Sequence, residues 1–193
     1  ILSMPADSEI LILEMGMRGL GQIAQLAACG LPDIGVITCA GSAHIELLGS
    51  LENIAKAKCE LFAALDAERG YAIIGDGSEH LISQAKRDFA GRIEIAPALE
   101  IVGVDSVGTT FKIPGSANLG QEFFVKAHGR VLLEDAWCAV AAARAAGLTD
   151  SEIADGLAKF AAVEGRGNAL KSSHGATVVD ESYNANPDSM RCA

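Results

Sequence analysis

The chain has 193 residues, half of them apolar, which suffices for one large domain or for one domain and part of a second. Its net charge of −10 argues against nucleic acid held on a general basic surface, although a nucleotide needs only a local site. No apolar run approaches the ~18 residues of a membrane-spanning helix, and the first residues lack the pattern of a signal peptide, so we expect no membrane insertion.

The five cysteines of the chain are scattered, and no two of them have the CxxC spacing of a zinc site or a redox motif. They are Cys29, Cys39, Cys59, Cys138 and Cys192. An odd number without a regular spacing predicts reduced thiols in a cytoplasmic protein rather than a disulfide framework.

The first half of the chain alternates between apolar runs and amphipathic stretches. Short apolar runs such as EILILEM are typical of strands buried on both faces of a sheet. The stretches between them have helical spacing, and Gly30 is predicted to be a helix C-cap. We predict strands over 9–15, 33–41 and 70–77 and helices over 21–30, 50–68 and 78–89. This order predicts an α/β fold with a parallel sheet flanked by helices.

After Gly91 the pattern changes to short alternating runs separated by Gly, Pro and Ser, which predicts a small antiparallel β insertion over 92–128. The segments that follow are a helix over 134–147, a helix over 149–163 capped by Thr149 or Asp150, a strand over 176–181 and a helix that starts at Pro187. The loop at 163–168 is the predicted domain boundary. Because the chain opens almost directly in a strand and ends in a first helical turn, we expect that a longer protein continues on either side or that the sequence is an excerpt.

Two polar residues follow predicted strands in the first half. Glu14 closes the first strand, and His44 follows the second one in CAGSAH. Ligands of an open parallel sheet bind beyond the carboxyl ends of its strands, where a carboxylate and an imidazole can bind Mg²⁺ or Mn²⁺. The ordinary alternatives are a solvated or helix-capping Glu14 and a structural His44.

Lys58 stands on the apolar face of the predicted helix over 50–68. Ile54 and Ala55 lie on this face, and the position that continues it is Lys58. A buried lysine without a partner is costly, so it loses its proton or pairs with a carboxylate. Two interpretations stay open: the stem carries the amine to the helix edge, or a neutral amine reacts with carbon dioxide to form a metal-binding carbamate.

The last part of the chain contains two further candidates. Arg166 in GRGN is either a phosphate clamp or a surface loop residue. The Asn and Asp residues of DESYNANPDSM have turn chemistry as their ordinary explanation. No phosphate loop of the GxxxxGK[ST] type occurs in the 193 residues.

Three strings together resemble the Mur ligase family: LEMGMRGLGQI, AGSAHIELLGSLENIAKAK and VVDESYNANPDSM. EMGMRG and SYNANPDSM resemble the branch that adds D-alanyl-D-alanine to UDP-MurNAc-tripeptide in peptidoglycan synthesis. The likeness implies the central ATP-binding α/β domain of the family at 1–163, without its first strand and phosphate loop. It also implies the start of a C-terminal Rossmann-like domain at 164–193.

The resemblance implies a role for each candidate residue. Glu14 and His44 match magnesium ligands, and Lys58 matches a lysine modified to a carbamate, so that His44 and Lys58 also serve catalysis. The matched nucleotide-binding positions are Arg166, Glu181, Asn184 and Asp135. The implied reaction uses ATP to phosphorylate the carboxylate of UDP-MurNAc-tripeptide, and the amine of D-Ala-D-Ala then attacks the acyl phosphate.

Two other functions stay open beside the ligase. Several positions depart from the residues that are usual in the family: Cys39, Val131, Leu132, Asp135 and Glu181. These departures allow a pseudoenzyme or scaffold fragment that keeps the fold without ATP turnover. A folylpolyglutamate synthetase-like ligase is the third possibility, and the SYNANP string disfavours it.

Overall fold

A computed structural model of the chain describes residues 4–42, 45–115, 120–166, 168–180, 182–183 and 190. These residues form an α/β fold with a three-stranded parallel sheet and a separate three-stranded antiparallel sheet, which confirms the predicted fold class. Within these ranges, no helix is both long enough and apolar enough to cross a membrane.

The parallel sheet is built from three strands in the order β1-β2-β3. They are β1 (Ile34–Ile37), β2 (Tyr71–Ile74) and β3 (Arg92–Ile95), and Ile34, Tyr71 and Arg92 stand side by side in register. The helices around them are α1 (Gln22–Gly30), α2 (Ile45–Leu48), α3 (Leu51–Ala63) and α4 (Glu79–Asp88).

Helix α3 starts where the sequence provides a cap, since the Ser50 side chain accepts a hydrogen bond from the Asn53 N–H at 3.2 Å. Its apolar face packs on β1, and a Cβ atom at Gly35 would lie 3.1 Å from the ring of Phe62. Both Ile54 and Phe62 are completely buried. The helix is thus held by one apolar face and by its N-cap.

The second half of the described chain covers the other face of the parallel sheet. It contains β4 (Glu100–Val104), β5 (Thr109–Lys112), β6 (Phe123–Val125), α5 (Arg130–Ala145) and α6 (Asp150–Ala158). Alternate residues of β2 enter two different cores, because Ile74 packs with α3 and α4 while Ile73 packs with Trp137 of α5. The parallel sheet therefore lies between two apolar layers.

A hairpin of β7 (Asn168–Lys171) and β8 (Thr177–Asp180) follows α6. It forms its own two-stranded sheet and pairs with neither of the other sheets in the described residues. The sequence predicted β8 within 176–181, but β7 was missed. The helix predicted to start at Pro187 lies outside the described residues.

The strand predicted at 9–15 is wrong, because this segment is irregular. Its apolar side chains are exposed, and Ile12 has 89% of its surface accessible. A parallel strand needs a hydrogen-bonded neighbour for its backbone, and no described strand pairs with this segment.

Two further expectations are corrected by the structure. Residues 92–95 were assigned to the antiparallel insertion, but they form β3 at an edge of the parallel sheet, where half-exposure explains their alternating pattern. Gly30 is the last residue of α1 rather than its cap. Leu31 takes the left-handed C-cap conformation with φ 48°, and its N–H donates to the carbonyl of Ala27 at 2.8 Å.

Candidate functional site

The loops after β1 and β2 are joined by the side chain of Asp76. Its carboxylate accepts hydrogen bonds from the Ala40 N–H at 2.8 Å and from the Ser78 N–H at 2.7 Å. Because ligands of open parallel sheets bind beyond the carboxyl ends of the strands, these loops form the candidate binding site. We call residues 38–42 and 75–78 the carboxyl edge.

Gly75 lets helix α5 approach the carboxyl edge closely. A Cβ atom at this position would lie 2.6 Å from Sγ of Cys138 and would collide with the carbonyl oxygen of Thr38. Helix α5 therefore lies directly against the ends of β1 and β2. Asp135 stands about one turn before Cys138 on the same helix, which places it beside this edge.

Acidic groups dominate the electrostatics of this region. Burial raises the pKa of the Cys138 thiol to about 12, and neighbouring Asp135 and Glu134 add to the rise. The pKa of Asp135 is raised by partial burial and then by Glu134, while the charge of Arg166 opposes the rise. The Asp135 side chain is still exposed to solvent, so its carboxyl group is accessible to a ligand.

Arg166 is placed by the turn before β7. Its guanidinium carbon lies 4.1 Å from the centre of the Tyr183 ring, and its side chain is exposed. The charge of Arg166 also acts on Asp135, although the two side chains form no ion pair.

Lys58 lies at the centre of the buried face of α3. Ile54 precedes it by about one turn and Phe62 follows it by about one turn, and both are fully buried. Lys58 itself is half-buried, and it forms no hydrogen bond or ion pair with a residue that the structure describes. It is thus a basic side chain on an apolar face, and both interpretations of its role stay predictions.

Glu14 lies in the irregular segment before α1, with an exposed side chain. Its neighbours Leu13 and Met15 reach the end of α1, where a Cβ atom at Gly30 would lie 2.9 Å from Cδ1 of Leu13. Glu14 and Lys58 form no hydrogen bond or ion pair with each other. Among the described side chains, no group of three or more His, Cys, Asp or Glu residues could hold a metal ion.

Three of the predicted site residues lie outside the described ranges, namely His44, Glu181 and Asn184. The pairing of Glu14 with His44 therefore stays a prediction, as do the nucleotide contacts of Glu181 and Asn184.

Two structural roles near the candidate site were missed in the sequence. Glu60 on α3 caps α1, because its carboxylate accepts hydrogen bonds from the Gly21 N–H at 2.5 Å and the Ala24 N–H at 3.2 Å. A contact between residues so far apart in the sequence cannot be predicted from a local pattern. Asp76 had a usable signal, since it follows a buried strand almost directly in GDGSEH.

The chain is similar to known proteins over most of its length. Residues 1–143 match the family model described as Mur ligase middle domain. A UDP-N-acetylmuramoyl-tripeptide--D-alanyl-D-alanine ligase from Bacillus subtilis is 33% identical over the whole chain, and the match covers 42% of that relative. The chain thus spans about two fifths of the length of the curated relatives that it matches.

Two solved structures share the fold. MurF from Acinetobacter baumannii superposes with a TM-score of 0.77 at 24% identity, over 92% of this chain and 40% of that one. A MurF ligase from Thermotoga maritima in complex with ADP gives a TM-score of 0.74 at 23% identity, over 92% and 42%. With residues 1–143 matched by the family model and the same fold in these structures, the chain belongs to the Mur ligase middle-domain family.

Proposed function

We propose that the chain is the central region of an ATP-dependent ligase that joins D-alanyl-D-alanine to UDP-MurNAc-tripeptide in peptidoglycan synthesis. The observation that carries the proposal is the 33% identity, over the full chain, to a relative named for this reaction. The candidate site supports it, because the carboxyl edge of a parallel sheet is where a nucleotide binds in folds of this class.

The first proposed ligand is a nucleotide. The related ligase from Thermotoga maritima is in complex with ADP, and we infer that this chain also binds ATP or ADP. Arg166 is the residue suited to the phosphates, because a guanidinium matches the geometry of phosphate oxygens and keeps its charge at all physiological pH values. We assign Asp135, Glu181 and Asn184 to the same nucleotide site on the basis of their matched positions.

Magnesium would be held by Glu14, His44 and a carbamate on Lys58. The chemistry of these donors fits the ion, since Mg²⁺ takes carboxylate-type oxygens and keeps several waters. The Glu14 carboxylate is exposed and has no partner among the described residues, so it is accessible to a cation. When bound, magnesium supplies positive charge next to the phosphoryl oxygens.

Lys58 would contribute to this site only after a change of charge. The carbamate hypothesis requires the Lys58 amine to react with carbon dioxide. In this reaction the Nζ nitrogen bonds to the carbon of carbon dioxide and releases one proton to solvent, so the carbamate is an anion whose two oxygens can pair with a cation. The half-buried position of Lys58 and the lack of a counter-charge among the described residues support this role.

We further propose that residues 1–163 form the central domain and that residues 164–193 open the next one. The separate sheet of β7 and β8 supports a boundary after α6. We also propose a cytoplasmic reaction, because the described cysteines, Cys29, Cys39, Cys59 and Cys138, are free thiols.

The second candidate is a pseudoenzyme that keeps the fold without ATP turnover. It is favoured by the departures at Cys39, Val131, Leu132, Asp135 and Glu181. At one of them, Asp135, an acid with a raised pKa stands where the family usually has an amide.

The deciding experiment measures phosphate release by the full-length protein that contains this chain, supplied with ATP, Mg²⁺, UDP-MurNAc-tripeptide and D-Ala-D-Ala. The ligase predicts release that stops when either peptide substrate is omitted. A protein that is folded by circular dichroism and releases no phosphate under these conditions would establish the pseudoenzyme instead.

A further inference from the structure

The β7–β8 hairpin brings together two turns that are distant in the sequence. Asn168 pairs with Asp180 at the open end of the hairpin, so the residues just before β7 and just after β8 meet there. We call Gly165, Arg166, Asp180, Ser182 and Tyr183 the hairpin base.

Hydrogen bonds join the two turns of the hairpin base and shape the second of them. The Tyr183 N–H donates to the carbonyl of Gly165 at 3.2 Å, and the Ser182 N–H donates to the Asp180 carboxylate at 3.1 Å. Hydrogen bonds from Ser182, and one from the Gly165 N–H, lower the pKa of Asp180. Gly165 has a φ of 79°, and a Cβ atom there would lie 3.1 Å from the Tyr183 nitrogen. The positive φ therefore favours glycine, and the close contact with Tyr183 adds to that preference.

The same contacts place the Tyr183 ring under the Arg166 guanidinium. The guanidinium carbon lies 4.1 Å from the ring centre, which is within the range of a cation–π contact. The charge of Arg166 also acts on Asp135 of α5 and opposes the rise in the pKa of that carboxyl group. The arginine thus connects the hairpin base to the helix that packs on the carboxyl edge.

We propose that Tyr183 is a positioning residue for the ligase reaction, whose ring fixes the Arg166 guanidinium beside Asp135 for contact with the phosphates of a bound nucleotide. The inference rests on the proposed function and deepens it. An aromatic face suits the task, because a guanidinium stacks flat on the ring and keeps the N–H donors at its rim available. An ion pair with a carboxylate would occupy those donors instead.

The test uses the full-length protein and compares Tyr183→Leu, which removes the aromatic face, with Tyr183→Phe, which keeps it. We expect Tyr183→Leu to raise the KM for ATP roughly 3- to 30-fold, the range of a cation–π contact, and to leave the KM for D-Ala-D-Ala unchanged. Tyr183→Phe should restore the KM for ATP to near its original value. In an Arg166→Ala background, Tyr183→Leu should have no further effect, because the two residues act as one unit.

Arg92 provides the matched control. It also stacks on a tyrosine, at 4.2 Å from the ring centre of Tyr71, but at the amino end of the parallel sheet. Arg92→Ala removes a stack of the same kind and should leave the KM for ATP unchanged. An equal rise in both variants would mean that loss of any such stack disturbs the protein, which would overturn the assignment.

A second measurement separates this inference from the proposed function. If Tyr183 holds Arg166 beside Asp135, then Tyr183→Leu should raise the pKa of Asp135, measured by carbon-13 NMR of its carboxyl group without any nucleotide, and Tyr183→Phe should not. A wild-type protein that consumes no ATP would refute the proposed function, and the Asp135 titration would still decide whether Tyr183 holds Arg166. An unchanged Asp135 titration, or an unchanged KM for ATP in an active Tyr183→Leu enzyme, would overturn the role of Tyr183.

Discussion

The two ends of the parallel sheet are built in different ways. At the amino end, the Tyr71 hydroxyl donates to Glu94, and the Arg92 guanidinium lies over the Tyr71 ring and 3.8 Å from the Glu94 carboxylate. Each of these three side chains thus has a partner within the cluster. At the carboxyl end, acidic groups gather beside α5, and Arg166 is the cation that acts on Asp135.

This difference separates a structural cluster from a binding surface. The cluster at the amino end links β2 to β3. Because its polar groups already contact one another, few of their donors and acceptors are available to a ligand. An acid-rich edge repels bare phosphate and attracts a divalent cation, so a nucleotide can bind there only together with positive charge. In the proposed site, Arg166 would supply part of that charge and magnesium the rest.

The largest effect is expected from isolating the 193-residue chain, which should show no ligase activity. Its sequence contains no phosphate loop, so the carboxyl edge has neither the backbone donors nor the lysine that such a loop aims at the terminal phosphates. The measurement is phosphate release with all substrates present, with the full-length protein assayed in parallel. Release that depends on D-Ala-D-Ala from the isolated chain would refute this prediction.

Lys58→Ala in the full-length enzyme should lower kcat by at least ~100-fold, the scale seen when one electrostatic stabiliser is removed. A small carboxylic acid added to the medium should restore part of the rate by taking the place of the carbamate. The free energy of unfolding should change by about 1 kcal/mol or less.

Lys56→Ala is the control for this variant, since Lys56 lies on the exposed side of the same helix. It should leave kcat unchanged. Full activity in Lys58→Ala would remove the carbamate hypothesis and leave the lysine as a stem that carries its amine to the helix edge.

Gly75→Ala should lower the free energy of unfolding by about 1–3 kcal/mol, the usual cost of overpacking. The added methyl group meets the Cys138 sulfur and the Thr38 carbonyl, so α5 must move away from the carboxyl edge. Gly77→Ala is the matched control, because a Cβ atom there has no neighbour within 4 Å, and it should change stability by about 0.5 kcal/mol or less. Urea unfolding of both variants checks the prediction, and equal effects would show that the close approach is not needed.

Asp135→Asn should give the smallest effect, a gain of a few tenths of a kcal/mol at neutral pH, because solvent screens this exposed side chain. The folded state raises the pKa of Asp135 above its ordinary value of 3.8, so it binds this proton more tightly than the unfolded state does. The Asp135 contribution to stability is therefore complete at low pH and is lost as the pH rises through the folded-state pKa. Unfolding free energies of both proteins from pH 3 to pH 7 should diverge in that direction, and a constant difference would contradict it.

The strength of the sequence signal differs between elements for physical reasons. Helix α3 was predictable because its apolar face and the Ser50 cap are local features. The strand predicted at 9–15 failed because an apolar run does not specify the neighbour that its backbone needs. Strand β3 was placed in the wrong sheet, because an edge strand of a parallel sheet has the alternating pattern of an antiparallel one.

In the candidate site, too, the sequence predicted residues with a local signal and missed contacts that depend on the fold. Arg166 was a candidate from its GRGN string and Asp135 was named through the family resemblance, but the electrostatic effect of Arg166 on Asp135 emerged only with the fold. Tyr183 was not predicted as a site residue, because stacking on Arg166 depends on the pairing of β7 with β8 and leaves no spacing signal in the sequence.

The most direct test of a nucleotide at the carboxyl edge uses two exposed thiols. Cys39 lies in the loop after β1, and Cys29 lies near the end of α1, away from that edge. The measurement is the rate of alkylation of each cysteine by iodoacetamide in the full-length protein, followed by mass spectrometry with and without saturating magnesium and a non-hydrolysable ATP analogue. We predict that the nucleotide slows alkylation of Cys39 and leaves that of Cys29 unchanged. An unchanged rate at Cys39, or equal protection of both thiols, would contradict binding at this edge.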